Sequence, residues 1–386
     1  MLYSVIGLMS GSSLDGLDIV YAQLSKSSGK WTYDIIHASC YPYPEVWVEK
    51  LKNAIHLPAL DYQLLHAEYG HFLGKLVNRF IAENDLQFKV QLIGSHGHTV
   101  FHIPEAKMTA QLGDGAAIAA ATGINVISDL RSMDIAFGGQ GAPIVPIGER
   151  MLFPDHRLFL NLGGIANISF HHPLLPEGRN EDEVGSGECI AFDICPAGRV
   201  LNLLANEAGE EFDKDGVLAA KGRVNEGLLR ELNRQVYYLK PYPKSLANNF
   251  GTDILFPIIK ASGCQIPDAL RTYTEHICLQ TRAAIEGILG QGSLRKKDES
   301  VEINLSVLVT GGGAFNLFLI KRLKEALGEI RIGIIVPDDQ TIKFKEALIM
   351  ALIGALRWRE EINVLSSVTG AIRDSIGGAV WIGQQG

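Results

Sequence analysis

The chain is poor in several things, and each shortage excludes something. Of its 386 residues only five are cysteine (Cys40, Cys189, Cys195, Cys264 and Cys278), an odd number without a Cys-x-x-Cys pair. A disulfide scaffold and a thiolate zinc site are thereby disfavoured, and reduced thiols in a cytoplasmic protein are the simple reading. Positive charge is also scarce: 35 Lys and Arg against 43 Asp and Glu give a formal net charge of −8. The densest basic stretch, Arg295-Lys296-Lys297, runs straight into Asp298 and Glu299, so neither nucleic acid nor an anionic membrane is expected as a partner. Long apolar runs are missing. The most apolar helical stretch, 347–356, has roughly half the length that crosses a bilayer, and the N-terminus lacks the basic region and cleavage site of a signal peptide. Absent too are the G-x-x-x-x-G-K-[ST] loop, the protein-kinase signatures and the G-x-S-x-G elbow. A P-loop enzyme, a protein kinase and an α/β-hydrolase are therefore disfavoured.

What is present in excess is glycine: 41 residues, where average usage of about 7% gives roughly 27. No Gly-X-Y period or Gly/Ser tract uses them, so they belong to particular turns. The length suggests two or three domains, and 47% hydrophobic residues suffice for packed cores. Apolar runs bounded by turn residues alternate with segments of helical period, the pattern of an α/β fold. Strands are expected at 3–9, 18–24, 33–39, 90–94, 125–128, 158–162, 167–170, 189–194, 305–309 and 331–336, and helices at 62–83, 115–122, 199–208, 268–289, 316–327 and 344–358. Segments 173–186 and 291–300 read as polar surface excursions.

One internal likeness stands out. Residues 4–24 read strand, small-residue turn, strand, and so do residues 158–170, about 150 residues later. A third glycine turn, Gly311-Gly312-Gly313, follows the strand at 305–309 and precedes a helix. Such turns let backbone N–H groups approach phosphate oxygens, and Asp15 or Asp18 is suited to a hydrated Mg²⁺. Singly, each also has an ordinary reading as a tight connection. Asp193 closes an apolar strand, where a carboxylate points into the ligand crevice of an α/β domain; a turn or capping role is the alternative. Arg131 suits a carboxylate or a transferring phosphoryl group, or else an ion pair with Asp129 or Asp134. His96, His98 and His102 have the spacing that puts imidazoles on one strand face, but no further ligand pattern accompanies them, which favours a structural or substrate-contacting role over a metal.

Taken together, several segments resemble the anhydro-N-acetylmuramic acid kinase family. They are GLMSGSSLDGLD at 7–18, GSHGHTVFH at 94–102, QLGD at 111–114, DLRSMD at 129–134 with GGQGAPIVP at 138–146, NLGGIAN at 161–167, Phe192-Asp193, DKDG at 213–216, the glycines 311–313, Glu346-Ala347 and SVTG at 367–370. The likeness covers nearly the whole chain. It implies an α/β fold of two ribonuclease-H-like, actin-like ATPase lobes with a nucleotide cleft between them. The N-terminal lobe would comprise residues 1–131 and about 360–386; the other, 132–359, would carry the catalytic Asp and the nucleotide loop. The implied reaction converts 1,6-anhydro-N-acetylmuramic acid, ATP and water into N-acetylmuramic acid 6-phosphate and ADP during cell-wall recycling. By the same likeness Asp193 is the general base. Gly11, Ser12, Ser13, Leu14, Asp15, Gly16, Leu17 and Asp18 form the first phosphate loop, Gly163 and Gly164 the second, and Gly311, Gly312 and Gly313 the nucleotide loop. Ser10, His96, Arg131 and Glu346 lie at the sugar, Asp15 holds Mg²⁺ through water, and a homodimer is suggested. The chain departs from the family's usual pattern after Asp193 (Ile194-Cys195-Pro196-Ala197-Gly198-Arg199), after Ser245 (Leu246-Ala247-Asn248-Asn249), and at His98 and Ser12. The superfamily also contains chaperone-like or filament-like ATPases and exopolyphosphatase-like hydrolases, which use no sugar acceptor.

Overall fold

The computed structural model describes residues 1–11, 13–172, 189–242, 244–247, 249–290 and 305–384. The excursions expected at 173–186 and 291–300 lie outside these residues, as does Ser12. The chain divides into two compact units, 1–154 with 344–386, and 155–343.

Strands are numbered along the whole chain. The first unit contains β1 (Leu2–Ser10), β2 (Gly16–Ser27), β3 (Lys30–Pro42), β4 (Leu92–Ser95), a separate hairpin of β5 (His98–Ile103) and β6 (Met108–Leu112), β7 (Asn125–Ser128) and β13 (Ala379–Trp381). Its main sheet runs β13-β7-β4-β1-β2-β3. Within it β1 pairs antiparallel with β2 and parallel with β4, β2 pairs antiparallel with β3, and β4 pairs parallel with β7. The second unit contains β8 (Leu158–Leu162), β9 (Ile165–His171), β10 (Cys189–Pro196), β11 (Ser306–Thr310) and β12 (Gly333–Ile335), in the order β10-β9-β8-β11-β12. The β8/β9 and β9/β10 pairs are antiparallel; β8/β11 and β11/β12 are parallel. Counting strands within each main sheet, both contain the order third, second, first, fourth, fifth, with only the second of these five reversed; the first sheet adds β13 at its edge, antiparallel to β7. This is the ribonuclease-H-like α/β arrangement, built twice, and the two glycine hairpins open the two copies.

The local reasons are visible in the sequence. Central strands covered on both faces need continuous apolar runs, and Val5, Ile6 and Leu8 of β1 match Leu158 and Leu160 of β8 in being fully or almost fully buried. Helix ends carry side-chain caps: Asp114 accepts from Ala116 N at the start of Gly115–Thr122, and Asn316 accepts from Leu319 N at the start of Leu317–Gly328. The apolar stretch at 347–356 is core: Leu348, Ile349, Leu352, Ile353 and Leu356 are fully buried. Among the described residues no helix is long and apolar enough to cross a membrane.

The helix Asp339–Trp358 packs almost backbone to backbone on the first sheet. A Cβ on Gly7 of β1 would stand 1.9 Å from Ala347 O, and one on Gly94 of β4 would stand 2.2 Å from Met350 O. That contact moves the unit boundaries away from those expected. Residues 344–359 join the first unit because of it. Residues 132–154 join the same unit because a Cβ on Gly148 would lie 2.5 Å from Ile349, Tyr33 meets Phe153 at 5.4 Å, and Lys345 Nζ pairs with Glu149 Oε1 at 2.6 Å, both nearly fully buried.

Candidate functional site

In the first unit, β1 and β2 are joined by the turn 11–15, where Leu14 has a positive φ of 59°. The Ser13 hydroxyl donates to Asp15 Oδ1 at 2.6 Å, and Tyr43 N donates to Asp15 O at 3.4 Å. Asp18 sits one pleat into β2, opposite Cys40 in register. Burial raises the Asp18 carboxyl to about 6, helped by the negative charge of Asp15 and Glu346 and opposed by a hydrogen bond with Cys40. Burial likewise raises Glu346, which enters on the helix packed against Gly7. These carboxylates form a local excess of negative charge beside the first turn, an environment that favours a cation or a proton.

Ser10 ends β1 and is buried. Its hydroxyl lies 2.8 Å from Tyr43 Oη, 3.0 Å from Tyr69 Oη and 3.2 Å from His98 Nδ1, and the two tyrosine hydroxyls stand 2.6 Å from each other. Each hydroxyl carries one proton, so one tyrosine donates to the other, and the three hydroxyls with His98 Nδ1 form a single buried hydrogen-bonded cluster. Burial lowers His98 to about 4, so the ring is neutral. His96 points elsewhere: its Nδ1 donates to Gly97 O at 2.9 Å, and burial, reinforced by the Arg131 charge, lowers it to about 4. The histidines thus diverge. Among the described residues no cluster of three His, Cys, Asp or Glu side chains suits a metal ion.

Arg131 does not make the ion pair offered as its alternative. Its guanidinium donates to Gly141 O at 2.6 Å and Thr99 Oγ1 at 3.0 Å, and lies 3.3 Å from His102 Nδ1. Burial pulls it down to about 10, partly offset by Asp134. Asp134, fully buried, instead accepts from Gly141 N and from Thr369 Oγ1, both at 2.7 Å, while Gln140 N donates to Thr369 O at 2.8 Å. Three motif segments, the neighbouring 129–134 and 138–146 and the distant 367–370, are one hydrogen-bonded unit that holds Arg131.

In the second unit, Asp193 lies at a bulge in β10, where the register shifts between Asp193 and Cys195. Bulges re-aim a side chain near an active site. Its Oδ2 accepts from Leu246 N at 2.8 Å and Ser245 Oγ at 3.1 Å; its backbone N donates to Lys244 O, and its carbonyl accepts from Tyr237 Oη at 2.6 Å. Oδ1 receives no hydrogen bond from the described residues. Burial raises the Asp193 carboxyl above the ordinary range, and the two donors on Oδ2 only partly oppose this. Lys244 lies 4.8 Å over the Tyr237 ring.

The glycine turns of this unit have distinct roles. Gly163 O accepts from Gly198 N, and Gly164 O from Ala197 N and Arg199 N, which binds the β8–β9 turn to the start of the helix Gly198–Asn206. Gly311 has a φ of 82°, and a Cβ there would lie 2.3 Å from Asn161 Oδ1; one on Gly313 would lie 2.7 Å from Leu162 Cβ. Gly312 has nothing within 4 Å of a Cβ position. It is the open member of the turn.

Sequence reasoning missed Tyr43, Tyr69, Thr99 and Tyr237, whose partners lie tens of residues away and leave no local signal. Asp134 and Thr369 were visible only as motif letters.

The profile of the anhydro-N-acetylmuramic acid kinase family matches residues 3–383. The anhydro-N-acetylmuramic acid kinase of Sulfurimonas denitrificans is 31% identical over 390 residues, covering 97% of this chain and 98% of that one. That of Shewanella amazonensis is 33% identical over 389 residues, covering 97% of each. Among solved structures, the activator of the 2-hydroxyisocaproyl-CoA dehydratase from Clostridium difficile with bound ADPNP is similar at 16% identity and a TM-score of 0.41, covering 93% of this chain and 96% of that one. The chain belongs to the anhydro-N-acetylmuramic acid kinase family.

Proposed function

We propose that this protein is an ATP-dependent kinase that converts 1,6-anhydro-N-acetylmuramic acid and water into N-acetylmuramic acid 6-phosphate and ADP, as a step in cell-wall recycling. The family membership supports the substrate, and the observation that carries the chemistry is Asp193. A base for this reaction needs one oxygen held and one oxygen open, at a pKa closer to neutrality than an exposed carboxylate has. Asp193 has Oδ2 held by Leu246 N–H and the Ser245 hydroxyl, Oδ1 open among the described residues, and a carboxyl raised by burial.

In the proposed step Oδ1 accepts a proton from a water whose oxygen attacks the anomeric carbon. The bond from that carbon to the bridging 6-oxygen breaks. The released 6-oxygen takes the γ-phosphoryl group, and ADP leaves with the electron pair of the broken phosphoanhydride bond. Gly11 to Asp18, Gly163, Gly164 and Gly311 to Gly313 are the proposed phosphate and nucleotide turns, and Ser10, His96, Arg131 and Glu346 the proposed sugar contacts.

Mg²⁺ fits the residues present. It binds through one or two carboxylates while keeping several waters, and Asp15 and Asp18 offer that donor set in surroundings where burial, together with the negative charge of Asp15 and Glu346, already pushes Asp18 towards protonation. When bound there it neutralises charge on the phosphate oxygens.

The reading is tested by incubating the protein with MgATP, with and without the anhydro sugar, and following products by phosphorus NMR and mass spectrometry. Sugar-dependent formation of a sugar 6-phosphate that incorporates one solvent oxygen is expected. Phosphate release independent of sugar would replace the kinase with a hydrolase, and no turnover of either kind would leave a binding role.

A further inference from the structure

The turn that joins β1 to β2 is tied at both of its ends to one residue, Tyr43, which follows the last residue of β3. The Tyr43 backbone N–H donates to Asp15 O at 3.4 Å, where the turn ends. The Tyr43 hydroxyl lies 2.8 Å from Ser10 Oγ, where the turn begins. Residues 11–14 therefore span two bonds to a single residue. Between those ends little else fixes the turn: Leu14 N reaches Gly11 O at 3.5 Å, the Ser13–Asp15 bond is internal, and a Cβ on Gly11 would meet only Ser13. The Leu14 side chain rests on the first core. Among the described residues of 11–15, Asp15 O is the atom that is hydrogen-bonded outside the turn.

The anchor is itself held from several sides. Tyr43 Oη lies 2.6 Å from Tyr69 Oη, which stands 3.0 Å from Ser10 Oγ, and Ser10 Oγ stands 3.2 Å from His98 Nδ1. These residues come from the end of β1, the end of β3, the helix Ala59–Glu83 and the start of β5, and all four are buried. The Tyr43 ring packs 6.3 Å from the rings of Tyr69 and Phe72, and Phe72 stacks on Trp47 at 4.5 Å. A satisfied buried network of this kind is rigid.

Backbone N–H groups bind phosphate well only if they hold their positions before the ligand arrives, because ordering them at the moment of binding subtracts from affinity. A glycine turn with a free middle is as well ordered as its ends. We propose that Tyr43 is a positioning residue for the nucleotide phosphates, setting the shape of the first glycine turn through Ser10 and Asp15 without touching the ligand. The proposal rests on the kinase reading above, and it names the residue outside the motif that prepares the turn.

The test is Tyr43→Phe, which removes one hydroxyl and keeps both the ring and the N–H on Asp15. Ser10 and Tyr69 keep each other at 3.0 Å, so no buried polar atom is stranded and the variant folds. By calorimetry its dissociation constant for MgATP is expected to rise about tenfold, and the KM for MgATP with it, while kcat falls by less than about threefold. In the nucleotide-free protein, hydrogen exchange followed by mass spectrometry should be about tenfold faster in the peptide spanning 11–15. Ser10→Ala cuts the same bond from its other end, so the double variant should bind MgATP no more weakly than the weaker single variant. Val77→Ala, at a fully buried position on the helix that carries Tyr69, separates positioning from general stability: its melting temperature should fall with MgATP affinity and exchange at 11–15 unchanged. Wild-type affinity in Tyr43→Phe, unchanged exchange at 11–15, or equal weakening in Val77→Ala each overturns the proposal and leaves the kinase reading standing. If the wild type binds no nucleotide, the kinase reading falls separately and exchange decides the anchor: faster exchange at 11–15 in Tyr43→Phe supports it, and unchanged exchange overturns it.

Discussion

At the scale of single residues, Asp193 and Asp18 are two carboxylates raised by the same cause, burial, with different consequences. Replacing Asp193 by Asn keeps the shape and the Oδ acceptor but removes the proton acceptor. The expected result is a loss of kcat of roughly 10³-fold with nucleotide affinity nearly unchanged, measured by steady-state kinetics alongside a nucleotide titration. Because Asp193 must be ionised to act, kcat/KM should fall as pH drops through its pKa, and that acid limb should lie above the position of an ordinary carboxylate near 3.9. A limb at or below that position would remove Asp193 as the base. Asp18 matters for stability. Its folded pKa, about 6 against an ordinary 3.8, means that its contribution to stability is complete below about pH 4 and is lost as pH rises through 6. In the absence of nucleotide and metal, Asp18→Asn should therefore be more stable than the wild type at pH 7, by up to about 3 kcal/mol, and the two should converge near pH 4. Thermal melts across that range check it.

At the scale of elements, the contact of the helix Asp339–Trp358 on β1 and β4 decides where Glu346 stands. The distance of 1.9 Å from a Gly7 Cβ to Ala347 O leaves no space for a methyl group. Gly7→Ala should force the helix off the sheet and cost more than about 3 kcal/mol, at the severe end for single substitutions, seen as a lowered melting temperature or loss of soluble protein. A melting temperature within two degrees of the wild type would contradict that packing. The same logic explains part of the sequence reading. The ten expected strands and six expected helices are all present because each carries its own periodic apolar run, whereas the β5–β6 hairpin and the three-residue β13 went unseen. His98, Thr99 and His102 give β5 a polar pattern that only its partners Ser10, Arg131 and Thr109 explain.

At the scale of the whole molecule, the fold is one topology used twice, and the two hairpins that revealed it in the sequence are the first two strands of each copy. If the glycine turns bind MgATP as proposed, a nucleotide concentration of about 100 times Kd should stabilise the folded state by roughly 2.7 kcal/mol. Thermal melts with and without MgATP would show this as a rise in melting temperature, and an unchanged melting temperature would count against those turns. The unit boundaries were the part of the architecture read least well. Residues 132–154 and 344–359 are far apart in sequence but pack against each other in the first unit, through Gly148 on Ile349 and Lys345 on Glu149.

The sequence by itself determined the α/β class, the duplication, the family and the glycine turns, because periodicity, turn chemistry and motif spacing are local properties of the chain. Only the tertiary structure decided what the polar side chains do. That Arg131 holds Gly141 and Thr99 and not an acidic neighbour, and that Asp134 reaches Thr369 across 235 positions, are facts of long-range packing. A hydrogen bond is specified by where two atoms meet in space, and no run of neighbouring residues encodes that meeting.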